Sequence, residues 1–314
     1  MKIRRIISSL SPVDFISTVF LLLLTILNLA FCSRVPVWKE LILINVVVIS
    51  GIFSIAFLAE SRKSKLLTGF HRWYCYPLIL FVFKEIYQMI HRIHPADYDQ
   101  LFITIDYWMF GVNPTQWLYR FSHPLITEIL QSAYFSYYLI FILVGVEIYR
   151  RYPIEKFDHA AFLIVYGFYL SYLGYFLLPG IGPRFTLHNF SQLDQDLPGI
   201  FLTPFFRAII NAGESIPDAH SNAIDLVQRD VFPSGHAQLT LVCTYLAFYY
   251  RLHSRWVIAL LASLLIIGTV YLRYHYVIDL VAGLVFFLFT VWTGNKLKPW
   301  WSRISAVGTK EKEG

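Results

Sequence analysis

A chain of 314 residues that is 57% hydrophobic, 18% aromatic and only 15% charged, with a mean hydropathy of +0.55, is too apolar for a soluble domain of its length. The net charge of +6 would point to nucleic acid in a soluble protein, but its distribution along this chain is topological and argues for contact with anionic lipid instead. Cys32, Cys75 and Cys243 fall in or beside apolar runs without CxxC spacing, which excludes a disulfide framework and a cysteine-based zinc site.

The apolar runs predict an all-α, polytopic membrane helical bundle of about eight spans, at 14–32, 41–59, 73–91, 125–148, 159–179, 235–251, 256–272 and 275–294. Each is near the roughly 20 residues that cross a hydrocarbon core. The first follows Lys2, Arg4 and Arg5 but is longer than a signal-peptide core and lacks a small-x-small site, so it reads as retained. The third contains Lys84 and Glu85, which face different directions on a helix and read as snorkelling or pairing with another helix. His91 and His94 have a metal-like spacing but no further ligand nearby, and read as structural.

With the N-terminus in the cytoplasm, the inner segments carry 17 Lys/Arg and the longer outer segments 8, the asymmetry of a positive-inside protein. Both termini are therefore expected to be cytoplasmic. Between spans, 92–124 interleaves Tyr98, Leu101, Phe102, Trp108 and Trp117 with Asp97, Asp99 and Asp106, the pattern of a segment lying in the membrane interface. The tyrosines at 134, 137, 138, 166, 169, 172 and 175 read as helix packing with buried hydroxyl partners. The non-cytoplasmic loop 180–232 is too long to be a plain connection, and a short amphipathic helix is expected at 203–212. The chain divides into N-terminal helices with the interfacial segment (1–124), a helical core (125–296) and a cytoplasmic tail (297–314), of which the last 15 or so residues read as disordered.

Three polar clusters fall on one membrane face in this topology: Gly180-Ile-Gly-Pro-Arg-Phe185, Asp230-Val-Phe-Pro-Ser-Gly-His236 and Arg273-Tyr-His-Tyr-Val-Ile-Asp279. An ionisable residue at the membrane centre costs on the order of 2.5–3.5 kcal/mol on the insertion scale, so such a set implies a wet cavity or mutual pairing. Arg184 and Arg273 offer planar donor forks for phosphate oxygens. Ser234 and the N–H groups of Gly235 and His236 open a helix, where an anion is favoured. His275 and Asp279, four apart, share a helix face, so the carboxylate can orient an imidazole nucleophile while His236 serves as the acid. Such a two-step displacement calls for no metal ion and no organic cofactor.

Pro233-Ser-Gly-His236 and His275-x3-Asp279, separated by one helical hairpin, resemble the second and third signature motifs of the type 2 phosphatidic acid phosphatase superfamily. The resemblance implies that His275 becomes a phosphohistidine, that Asp279 orients it, that His236 is the acid, and that Ser234 and Gly235 bind phosphate. It is specific over about 180–283. The chain departs from the common phosphatase pattern: Leu177 stands where a lysine is usual, Phe185 follows Arg184, and Gly268-Thr269 replace a Ser-Arg pair. The His275-Tyr-x-x-Asp279 core and the Gly-Pro-Arg run look closer to the inositol phosphorylceramide synthase branch. The expected substrate is thus a lipid phosphate, with water or a lipid alcohol as acceptor. A non-enzymatic lipid transporter or sensor using Lys84 is the alternative from another class. Arg207 and Arg229 are further headgroup candidates.

Overall fold

Serine or proline opens most of the apolar runs, and each run folds as a helix. The computed structural model describes residues 9–216 and 223–310, and all regular structure among the described residues is helical. The principal helices are α1 (Pro12–Ala30), α2 (Trp38–Arg62), α3 (Lys65–Trp73), α4 (Cys75–Ile93), α5 (Asp99–Phe110), α6 (Pro124–Phe135), α7 (Tyr137–Arg151), α8 (Ile154–Leu177), α9 (Thr203–Gly213), α10 (Gly235–Tyr249), α11 (Arg255–Tyr271) and α12 (Val277–Lys310).

The several apolar helices fit an integral membrane protein, with four to five candidate spans where eight were expected. Among the described residues α1, α2, α8 and the Val277–Trp301 part of α12 are long and apolar enough to cross as single helices, and α6 with α7, bent by 47°, is a fifth candidate if the pair is taken as one span rather than a re-entrant loop. The helix α4 carries Lys84, Glu85 and Arg92, whereas α10 and α11 have 15 and 17 residues, short of the roughly 20 needed alone. The break between α6 and α7 sits at Ser136, whose hydroxyl donates to the Ala133 carbonyl at 2.6 Å and draws a backbone acceptor out of the helical ladder.

The expected disordered tail is also corrected. The helix α12 continues to Lys310, and its indole at Trp301 stacks on Phe15 at 4.1 Å and donates to the Leu10 carbonyl at 3.2 Å. Residues 311–314, like Lys2, Arg4 and Arg5, lie outside the described residues.

The core forms around α8, which packs against α1, α4, α7, α10 and α12. Its tyrosine stripe is packing with satisfied hydroxyls: Tyr169 donates to Ser17, Tyr172 to the Ile79 carbonyl, and Tyr166 pairs with Thr293, each at 3.0 Å. Lys84 and Glu85 diverge as expected. Lys84 donates to the Gly213 carbonyl at the end of α9, whereas Glu85 accepts from Asn45 at 2.8 Å and Asn28 at 3.4 Å. Within 92–124 lies α5, which buries Asp99, Phe102 and Asp106 and turns Tyr107 and Trp108 outward. The amphipathic helix expected at 203–212 is α9.

Candidate active site

Main-chain bonds join the three polar clusters before any side chain is considered. The Arg184 N–H donates to the Arg273 carbonyl at 3.0 Å, and the Ser234 N–H donates to the Asp279 carbonyl at 2.9 Å. Two glycines permit the approach. Gly182 has φ 94°, and a Cβ there would come 3.0 Å from the Tyr274 carbonyl; a Cβ at Gly283 would come 2.8 Å from the Ser234 carbonyl.

On this frame Asp279, in the first turn of α12, is fully buried. Its Oδ2 accepts from the Tyr276 N–H at 2.8 Å and lies 3.3 Å from His275 Nδ1. A proton held between them leaves Nε2 as the bare nitrogen of His275. That nitrogen lies 3.3 Å from His236 Nδ1 in the first turn of α10. The rings of Tyr134 and Tyr137 flank His236 at 4.6 and 4.3 Å, and Tyr274 stacks on Tyr134 at 4.3 Å, which restricts the imidazole to one orientation.

The two histidines face a cavity of about 20 Å³, room for about one water. Arg184, Asp230, Glu214, Tyr134 and Tyr274 also line it. Arg184 is buried, lies 4.9 Å over the Tyr274 ring, and donates to the Glu214 carboxylate and, at 3.3 Å, to Asn211. The spot where a guanidinium would grip a phosphate is held by a carboxylate.

The other expected phosphate ligands stand apart from this cavity. Ser234 is the N-cap of α10, with its hydroxyl accepting from the Ala237 N–H at 3.2 Å, and neither it nor Gly235 is in the cavity wall. Arg273 is bound to Asp196 at 2.6 Å and lies 5.1 Å over the Tyr119 ring. Its φ of 68° is uncommon for a side-chain-bearing residue. Arg207 ties α9 to Asp194 at 2.6 Å and to the Leu197 carbonyl at 2.8 Å, and Arg229 donates to the Val227 carbonyl at 2.7 Å. Both serve the loop rather than an open headgroup site.

Sequence reasoning assigned no role to three aspartates. Asp99 accepts from the N–H groups of Ile181 and Gly182 at 2.9 and 2.8 Å and from the Tyr276 hydroxyl at 2.8 Å, so it fixes the Gly-Pro-Arg turn. Asp106 accepts from the N–H groups of Val277 and Ile278, both at 2.8 Å, capping α12 beside His275. Their seven-residue spacing, with Phe102 between them, was the available signal: it puts all three on one inward face. Asp230 stands in the cavity wall, where burial pushes its carboxyl up to about 6 against the pull of Arg184.

A helical membrane protein whose paired histidines, orienting aspartate and buried arginine meet in one hollow has the parts of a phosphoester enzyme. Residues 102–293 match the family model of the PAP2 superfamily, and the chain belongs to that superfamily of phosphoesterases. No curated protein and no solved structure matches it.

Proposed function

We propose that the protein is a membrane enzyme that cleaves or transfers a lipid phosphoester through a phosphohistidine at His275. One observation carries this reading: the chain Asp279–His275–His236, with both contacts at 3.3 Å, ends on a cavity walled by Arg184. In the first step His275 Nε2 bonds to phosphorus as the bond from phosphorus to the lipid alkoxide breaks, and protonated His236 gives its proton to that alkoxide. In the second, an incoming hydroxyl passes its proton to His236 while its oxygen takes the phosphoryl group and the N–P bond breaks. Arg184 neutralises the equatorial oxygens, which requires the substrate to displace Glu214.

A headgroup transferase of the inositol phosphorylceramide synthase type is the second reading. It is favoured by Leu177, which stands where a phosphatase lysine is usual and projects outward with 68% of its surface exposed. Purified protein incubated with a panel of lipid phosphates and ³²P labelling tests both. His275→Ala removes turnover and covalent label, and His236→Ala slows the first step by roughly 10²–10⁴-fold while vanadate still binds. Full activity in both variants ends the assignment. Phosphate release without an added alcohol supports hydrolysis, and product formed only with a lipid alcohol supports transfer.

A further inference from the structure

A second polar cluster lies in the N-terminal helices and takes no part in the reaction above. It joins Asn28 of α1, Asn45 of α2 and Glu85 of α4, which are 0, 0 and 4% exposed. Leu24, Leu41 and Met89, each one helical turn from one of the three, belong to a single buried apolar cluster.

Both amides turn their nitrogens to the same atom: Glu85 Oε1 accepts from Asn45 at 2.8 Å and from Asn28 at 3.4 Å. Three oxygens are left over. Glu85 Oε2 and the Oδ1 atoms of Asn28 and Asn45 are buried and have no hydrogen-bond partner. An amide or carboxyl group spans about 2.3 Å from one polar atom to the other, so none of the three lies more than about 6 Å from Glu85 Oε1.

What would satisfy the cluster is therefore specific. Its unpartnered atoms are all acceptors, and its one negative charge is met only by neutral amides. The adjacent cation, Lys84, points to the Gly213 carbonyl instead. A proton on Glu85 would cancel the charge but give one donor to three acceptors. A water would give two donors and leave the charge in apolar surroundings, where it is most costly. A cation answers both needs, because carboxylate and amide carbonyl oxygens are hard ligands. One carboxylate balances a monovalent ion, whereas a divalent ion would leave a positive charge buried.

We propose that Glu85, Asn28 and Asn45 form a site for a monovalent alkali cation, with sodium as the probe, and that the ion ties α1, α2 and α4 together. The site rests on no part of the phosphoester reading.

The full chain in nanodiscs is prepared in N-methylglucamine chloride, which is then exchanged for sodium chloride at constant ionic strength. Tm should rise with the logarithm of sodium concentration, as linkage requires of an ion that binds the folded state. The chain should also retain radioactive sodium at one ion per chain. Both responses should be lost in Glu85→Gln, which keeps the size of the side chain and should melt close to the native chain in N-methylglucamine chloride. Asn45→Asp gives the site a second carboxylate, so its Tm response should pass from sodium to calcium. The same Tm in both salts with no sodium retained means that a water or a proton satisfies the three oxygens, and overturns the proposal. An undiminished sodium response in Glu85→Gln places the ion elsewhere and overturns it too. A calcium response no stronger in Asn45→Asp than in the native chain overturns the charge matching that selects a monovalent ion.

Discussion

Two buried carboxylate sites of the bundle, one at Glu85 and one at Asp99 and Asp106, are satisfied in opposite ways. In the N-terminal helices Glu85 receives two amide donors on one oxygen, while its Oε2 and the side-chain oxygens of Asn28 and Asn45 have no partner. Around the candidate site, Asp99 and Asp106 spread their acceptors over backbone N–H groups of the Gly-Pro-Arg turn and of α12. A carboxylate bound to side-chain amides links helices that already pack; one bound to main-chain donors fixes the path of a loop. The second kind is what a site assembled from distant segments needs.

The largest effect that tests this contrast is expected from Asp106→Ala. It removes two charge-assisted bonds, each worth about 1.5–3 kcal/mol, and frees the start of α12. A fall in kcat should accompany the lower Tm, and a stability loss with unchanged kcat would separate Asp106 from the site.

Next in size is a pH effect from Asp230. Its carboxyl is raised from 3.8 to about 6 by burial, so the folded state binds the extra proton. Stability is then greatest below the unfolded value and declines as pH rises through about 6. Burial also raises Asp99 and Asp106, which act in the same direction. Thermal unfolding from pH 4 to 7 should therefore show a slope that Asp230→Asn reduces; an identical slope in the variant refutes the assignment.

The smallest effect is expected from Glu85→Gln. The amide keeps an acceptor for Asn45 and offers a donor to an unpartnered amide oxygen, so Tm should stay within the equivalent of about 0.5 kcal/mol or rise. A large loss would place Glu85 with the rigidly bound carboxylates after all.

Local patterns made part of this legible in advance. The 275–279 spacing announced the contact of His275 with Asp279, although not the shared helix face expected, since α12 begins at Val277 and His275 sits in the turn before it; the Pro233-Ser-Gly-His236 run announced a helix start, and Thr203–Gly213 is the amphipathic helix its periodicity predicted. Pairings across long separations were not legible. The partners of Asp106 lie 171 and 172 residues away and are main-chain groups, which leave no mark in residue identity. Arg273 has the right chemistry for phosphate, yet Asp196, 77 residues away, holds it. The span count exceeded the four or five helices that qualify because apolar windows do not register the break at Ser136 or the shortness of α10 and α11.

The two main-chain links, from Arg184 to Arg273 and from Ser234 to Asp279, are indifferent to which side chains those positions carry. Substitutions can therefore retune what the hollow accepts while its three walls stay in register. A chain built on such a frame can change the lining of its hollow a residue at a time, with Gly182 and Gly283 as the positions least able to change.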